Sequence, residues 1–122
     1  MKKFIAMISL LCLSEFAQAE SCYQISANSQ NFSRSPSGYC LAKIAGEEDQ
    51  YKVSKFAFLQ PSKELGIFTE TTDRHSKFYV SKQTILQITP SNTVEGWEQG
   101  ELTVYVGRRI AKFFYRLPPA RD

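Results

Sequence analysis

Beyond residue 19 no uninterrupted apolar run exceeds four residues, FAFL at 56–59 being one of that length. No window of eleven or more residues keeps apolar side chains at i, i+3, i+4 and i+7. A helix that packs on a core needs that stripe, so the chain offers helices little to build on. Instead, runs rich in Val, Ile, Thr, Tyr and Phe alternate with turn signals every eight to twelve residues. β-Branched and aromatic side chains fit a pleated, half-buried surface, and short strands at this spacing suit an antiparallel sandwich or a small barrel. The expected class is all-β, with about six to eight short strands.

The candidate strands are residues 39–45, 51–60, 64–71, 77–82, 84–89, 101–106 and 109–117, with 93–97 ambiguous. Gly66 weakens the third, and Pro61 ends the second because proline cannot donate to a ladder. Gly107-Arg108 is placed to form a tight hairpin turn that starts with a positive φ. A helix over 48–60 is the competing reading of one segment. Residues 26–38, SANSQNFSRSPSG, read as an irregular surface loop, with Phe32 as its single anchor. Residues 118–122, PPARD, read as a short Pro-rich tail. No repeat or linker divides residues 20–122, so they form one β-rich domain.

Residues 1–19 carry Lys2 and Lys3, an apolar stretch at 4–13 and the small-x-small triplet Ala17-Gln18-Ala19. That order is a secretory signal peptide, cleaved after Ala19. The apolar stretch is far shorter than the roughly 20 residues of a spanning helix. Glu20 beside the triplet argues against lipid attachment at Cys22. The expected location is periplasmic or secreted, and nothing after residue 19 is apolar enough for a helical membrane span. Cys12 departs with the signal, leaving Cys22 and Cys40 as an even pair. In an exported chain such a pair forms a disulfide, and no C-x-x-C or histidine spacing points to zinc.

The whole-chain charge is +3, but Lys2, Lys3 and Glu15 lie in the signal, so the remainder is nearer to balance. That balance gives no support to nucleic-acid binding. Glu47-Glu48-Asp49 and the series Glu95, Glu98, Glu101 lack the alternating oxygens and tight loop of a calcium site. No metal and no cofactor is expected. His75, the single histidine, sits in TTDRHSK between two candidate strands and reads as an exposed loop residue. With no G-x-S-x-G and no cysteine to spare, no catalytic residues are assigned.

The most distinctive stretch is GRRIAKFFYRLPPARD, with Arg108, Arg109, Lys112, Arg116 and Arg121 against Asp122 alone. In a strand over 109–117, Ala111, Phe113, Tyr115 and Leu117 share the core face, leaving Ile110, Lys112, Phe114 and Arg116 outside. Arg108, Lys112, Phe114 and Arg116, joined by a loop-exposed Trp97, form the candidate binding surface. The competing reading is an edge strand guarded by Lys and Arg against pairing with other chains. The expected function is a non-catalytic binding module of the bacterial envelope, contacting an unidentified protein or glycan. A structural envelope protein without a small ligand is the alternative, and a small hydrolase the least supported.

Overall fold

The computed structural model describes residues 20–28 and 32–119. Residues 1–19, read from the sequence as a signal peptide, and the last residues of the tail, 120–122, lie outside them. Eight strands follow in order: β1 (Glu20–Ser26), β2 (Ser37–Lys43), β3 (Gln50–Ala57), β4 (Gln60–Asp73), β5 (Ser76–Val80), β6 (Thr84–Val94), β7 (Trp97–Val106) and β8 (Arg109–Leu117). Each pairs antiparallel with its sequence neighbour, and β8 returns to β1 to close a barrel. The all-β expectation holds, and of its two architectures the barrel forms.

Alternation along the strands sends Tyr23, Leu41, Val53, Phe68, Leu86 and Leu102 inside, with Tyr39, Tyr79, Ile88, Val104 and Tyr115 completing the core. Lys52, Lys55, Lys63, Lys77 and Lys112 are exposed on strands. This apolar-in, polar-out order is the reverse of a barrel whose outer face meets lipid tails. Among the described residues no helix is long and apolar enough to cross a membrane. On β8, Tyr115 is buried and Phe113 and Leu117 pack against the core, as the alternation predicts. Ala111 is exposed instead, because it lies near the rim.

Cys22 and Cys40 are register partners across β1 and β2 and are joined as a disulfide. Their neighbours Tyr23 and Tyr39 point inward, so the bridge lies on the opposite side of the two strands.

Several boundaries differ from the sequence reading. Residues 48–60 form no helix: β3 stops at Ala57, Phe58-Leu59 make the turn, and β4 starts at Gln60 and passes through Pro61. The early proline is tolerated because β5 pairs only with residues 69–73 of β4, leaving its first half an edge on that side. Between Val53↔Gly66 and Ser54↔Glu64 the register skips Leu65, and Gly66 adopts φ 115° at this bulge. β6 likewise runs past Pro90 to Val94, with a further register shift between Pro90 and Asn92. Of the stretch read as a loop, Ser26 closes β1 and Ser37-Gly38 open β2, and residues 20–26 add a strand. Gly107 opens its turn with φ 59°, as its position predicts.

Because successive strands reverse direction, the turns fall at two ends. Turns 58–59, 81–83 and 107–108 share one rim, whereas Phe32, between β1 and β2, reaches back to Arg116 near the far end of β8. Turns 44–49, 74–75 and 95–96 share the other, with the start of β1 and the end of β8.

Candidate functional site

Arg116 stands near the end of β8, opposite Gln24 of β1 and Gln99 of β7. Its Nε donates to the Gln24 side-chain oxygen at 2.9 Å. Its guanidinium carbon lies 4.6 Å from the Phe32 ring centroid and 4.9 Å from that of Trp97. A delocalised, weakly hydrated guanidinium suits this stacking better than an ammonium would. Phe32 comes from the 27–36 loop, whose base is closed by the Cys22–Cys40 bridge, and Trp97 opens β7. Three distant segments are therefore needed to build one stack. Among the described residues no carboxylate pairs with Arg116; the ion pair that forms is Lys52–Glu64, elsewhere on the surface.

Hollows flank the stack. A groove of about 550 Å³ is walled by Phe32 and Phe114 and floored by Gly100 and Tyr115, with Thr89, Pro90, Ser91, Asn92, Gln99 and Glu101 around it. The register shift at Pro90/Asn92 shapes one wall, where Ser91 Oγ lies 3.1 Å from the Gln99 carbonyl oxygen, to which it donates. A smaller hollow of about 210 Å³ is lined by Val94, Glu95, Trp97, Gln99 and Arg116. Gln99 belongs to both. The floor holds its shape because the Tyr115 hydroxyl is tied to Glu98 at 2.6 Å. Burial first, and then that hydrogen bond, raise the Tyr115 pKa well above that of an ordinary tyrosine. The chemistry on offer is apolar ring faces, neutral amides and hydroxyls, two acids (Glu101 in the groove and Glu95 in the smaller hollow) and, on Arg116, a cation with no ion-pair partner among the described residues.

Of the residues singled out from sequence, Trp97, Phe114 and Arg116 come together here. Trp97 is a half-buried strand residue rather than a loop-exposed one, because Glu95 (φ 53°) and Gly96 (φ 88°) complete the turn before it. Lys112 is exposed farther along β8, and Arg108 sits in the turn at the other rim, about 25 Å away at some 3.3 Å per residue. The surface is thus two separate features. Residues 114–116 of β8 pair with β1, whereas 109–113 pair with β7 alone, so the edge-strand reading fits that half. The sequence marks Phe32 only as an anchor and gives no local signal for Gln24, Asn92 or Gln99: barrel closure brings Gln24 to Arg116, and the β6–β7–β8 pairing brings Asn92 and Gln99.

The other candidates stay apart. His75 is exposed at the β4–β5 turn, and Glu47, Glu48 and Asp49 are exposed at the β2–β3 turn. Glu98 faces Tyr115 inside while Glu95 lies in a turn and Glu101 in the groove, so the i+3 series does not converge. Glu20, Cys22 and Cys40 cluster, but both sulfurs are committed to the disulfide and are not metal ligands. No family model, no curated protein and no solved structure matches the chain.

Proposed function

We propose that this protein is an exported, non-catalytic binding module of the bacterial envelope that holds a carboxylate-bearing protein or glycan on Arg116. The observation that carries the reading is the guanidinium fixed between Phe32 and Trp97 with no acidic partner among the described residues. Gln24 occupies Nε, which leaves the two terminal nitrogens to form a fork for an anionic oxygen pair. Orientation is settled before any ligand arrives, so little side-chain freedom is lost on binding. Phe32 and Phe114 offer apolar faces in the groove, and Asn92, Gln99 and Ser91 offer neutral hydrogen-bonding groups. Export is supported by the Lys-apolar-Ala-x-Ala order of residues 1–19 and by the disulfide, which points to the periplasm or the exterior.

The test compares the parent with Arg116→Gln and Trp97→Ala on an array of acidic and neutral saccharides and on envelope extract, with bound species identified by mass spectrometry. The parent retains a carboxylate-bearing partner, and Arg116→Gln weakens that retention about tenfold or more without lowering the unfolding temperature. Retention of the same partner by Arg116→Gln at parental strength overturns the assignment.

A further inference from the structure

The barrel is electrically and chemically polar from rim to rim. The turns 58–59, 81–83 and 107–108 contain no Asp or Glu, while this rim and its first strand residues carry Lys55, Lys63, Lys82, Arg108 and Arg109, all exposed. Glu64, farther down β4, lies 3.8 Å from Lys52. Counted to the same depth, the opposite rim carries Glu20, Glu47, Glu48, Asp49, Glu70, Asp73, Glu95 and Glu98 against Lys43, Lys52, Arg74, Lys77 and Arg116. The basic rim also holds apolar side chains exposed to solvent: Phe58 at 65%, Leu59 at 82%, Ile110 at 62% and Val106 at 46%.

We propose that this rim docks on an anionic phospholipid bilayer, with Phe58 and Leu59 entering the headgroup region. Three observations favour a bilayer over an acidic protein. The cations are spread around a ring of turns rather than gathered in a concavity, and a flat anionic surface is the shape that meets all of them at once. The β3–β4 turn places Phe-Leu at its tip, where turn chemistry favours Gly, Asn or Asp, and both side chains stand in water. Apolar tips ringed by Lys and Arg match the depth profile of a membrane interface, apolar below and anionic above. Finally, Lys55 and Lys63 are direct cross-strand partners beside that tip. Like charges placed opposite each other destabilise a ladder, and anionic headgroups relieve that repulsion. Docking by this rim lies apart from the Arg116 stack and goes beyond the proposed binding function.

The test uses the protein as its host processes it, with the N-terminus established by mass spectrometry, because a retained apolar stretch at 4–13 would bind lipid by itself. Co-sedimentation is measured with vesicles of equal parts phosphatidylglycerol and phosphatidylcholine, and with phosphatidylcholine alone. The parent binds the mixed vesicles, does not bind the neutral ones, and is released by salt. Arg108→Glu/Arg109→Glu lowers the partition coefficient about tenfold or more, and Phe58→Ser/Leu59→Ser lowers it by about tenfold. Both variants keep the parental unfolding temperature, and Arg116→Gln binds vesicles like the parent. A parent that stays in the supernatant overturns the proposal. So does a Phe58→Ser/Leu59→Ser variant that binds as tightly as the parent, or selective capture by polyglutamate without vesicle binding.

Discussion

The Tyr115 hydroxyl donates to a Glu98 carboxylate oxygen at 2.6 Å across the β7–β8 pair, and the Tyr79 hydroxyl does the same to Glu70 at 2.8 Å across β4–β5. Two carboxylates thus sit among the core tyrosines, and Tyr23 feels the negative charge of both. A partly buried carboxylate deprived of its donor retains its desolvation cost. Tyr115→Phe keeps the ring and removes only the hydroxyl, so it should destabilise by about 1–3 kcal/mol. Glu98→Gln, which still presents an accepting oxygen, should lose less. Urea unfolding with an unchanged m-value reads both; equal losses would contradict a role for the carboxylate's charge.

Alkaline stability follows from the same groups. Burial is the largest cause that raises the pKa of Tyr23, Tyr39, Tyr51, Tyr79 and Tyr115, and hydrogen bonds to Glu70 or Glu98 add to it for Tyr51, Tyr79 and Tyr115. In the unfolded chain these phenols titrate near pH 10. Above that pH the unfolded state releases protons that the folded state retains, so stability falls as pH rises, and below it their contribution is fully present. The tyrosinate absorbance of these residues should therefore appear cooperatively, together with loss of the β circular-dichroism signal. Tyrosinate forming in all five while the sheet signal persists would contradict the burial argument.

Gly100 marks where the sheet and the groove constrain each other. A Cβ there would run into the Thr89 carbonyl oxygen and stand 2.8 Å from Pro90 Cα and 2.9 Å from Tyr115 Cε2. Two of these obstacles are backbone, which cannot rotate away. Gly100→Ala should cost about 1–3 kcal/mol and distort the groove floor, lowering the unfolding midpoint. Gly46→Ala meets no atom within 4 Å and strains only φ 85°, so its cost should be smaller.

Local chemistry made some of this molecule legible. The Gly107-Arg108 turn and the inward Phe113, Tyr115 and Leu117 follow from turn preference and a period of two, and the Cys22–Cys40 pair follows from an even cysteine count beyond residue 19. Closure of the barrel does not. Arg116 and Gln24 are 92 residues apart, and no local pattern says that the last strand returns to the first. Nothing local marks Glu70 or Glu98 as a tyrosine partner, because the tyrosines that donate to them lie on neighbouring strands. Pro61 and Pro90 read as strand ends, since a sequence does not show that a strand outruns its partner and becomes an edge. The site was half visible for the same reason: Arg116 and Trp97 stood out by type, while their grouping with Phe32 depended on closure.

The Cys22–Cys40 bridge closes a separation of 18 residues, worth about 3 kcal/mol on the chain-entropy argument. Cys22→Ser/Cys40→Ser should lose about that much, and the effect should extend beyond stability. The bridge joins the strands on either side of the 27–36 loop, so releasing it frees the loop that carries Phe32. Hydrogen exchange in residues 24–37 should rise more than in β6 and β7, whose 84–106 pairing is unaffected. A uniform rise across the barrel would mean that the bridge only lowers global stability.

Trp97 is the single tryptophan, so its fluorescence reports on the stack directly. With Arg116 at 4.9 Å from its ring, the indole is half-covered. Arg116→Ala uncovers that face and should red-shift the emission, while Phe32→Ala removes the far side of the sandwich and should shift it less. Arg116→Lys separates charge from shape. An ammonium keeps the cation but lacks the flat face and the Nε donor to Gln24, so its emission should resemble that of Arg116→Ala. Emission from Arg116→Lys that matches the parent would mean that charge alone organises the site. The preorganised fork on which the carboxylate reading depends would then be absent.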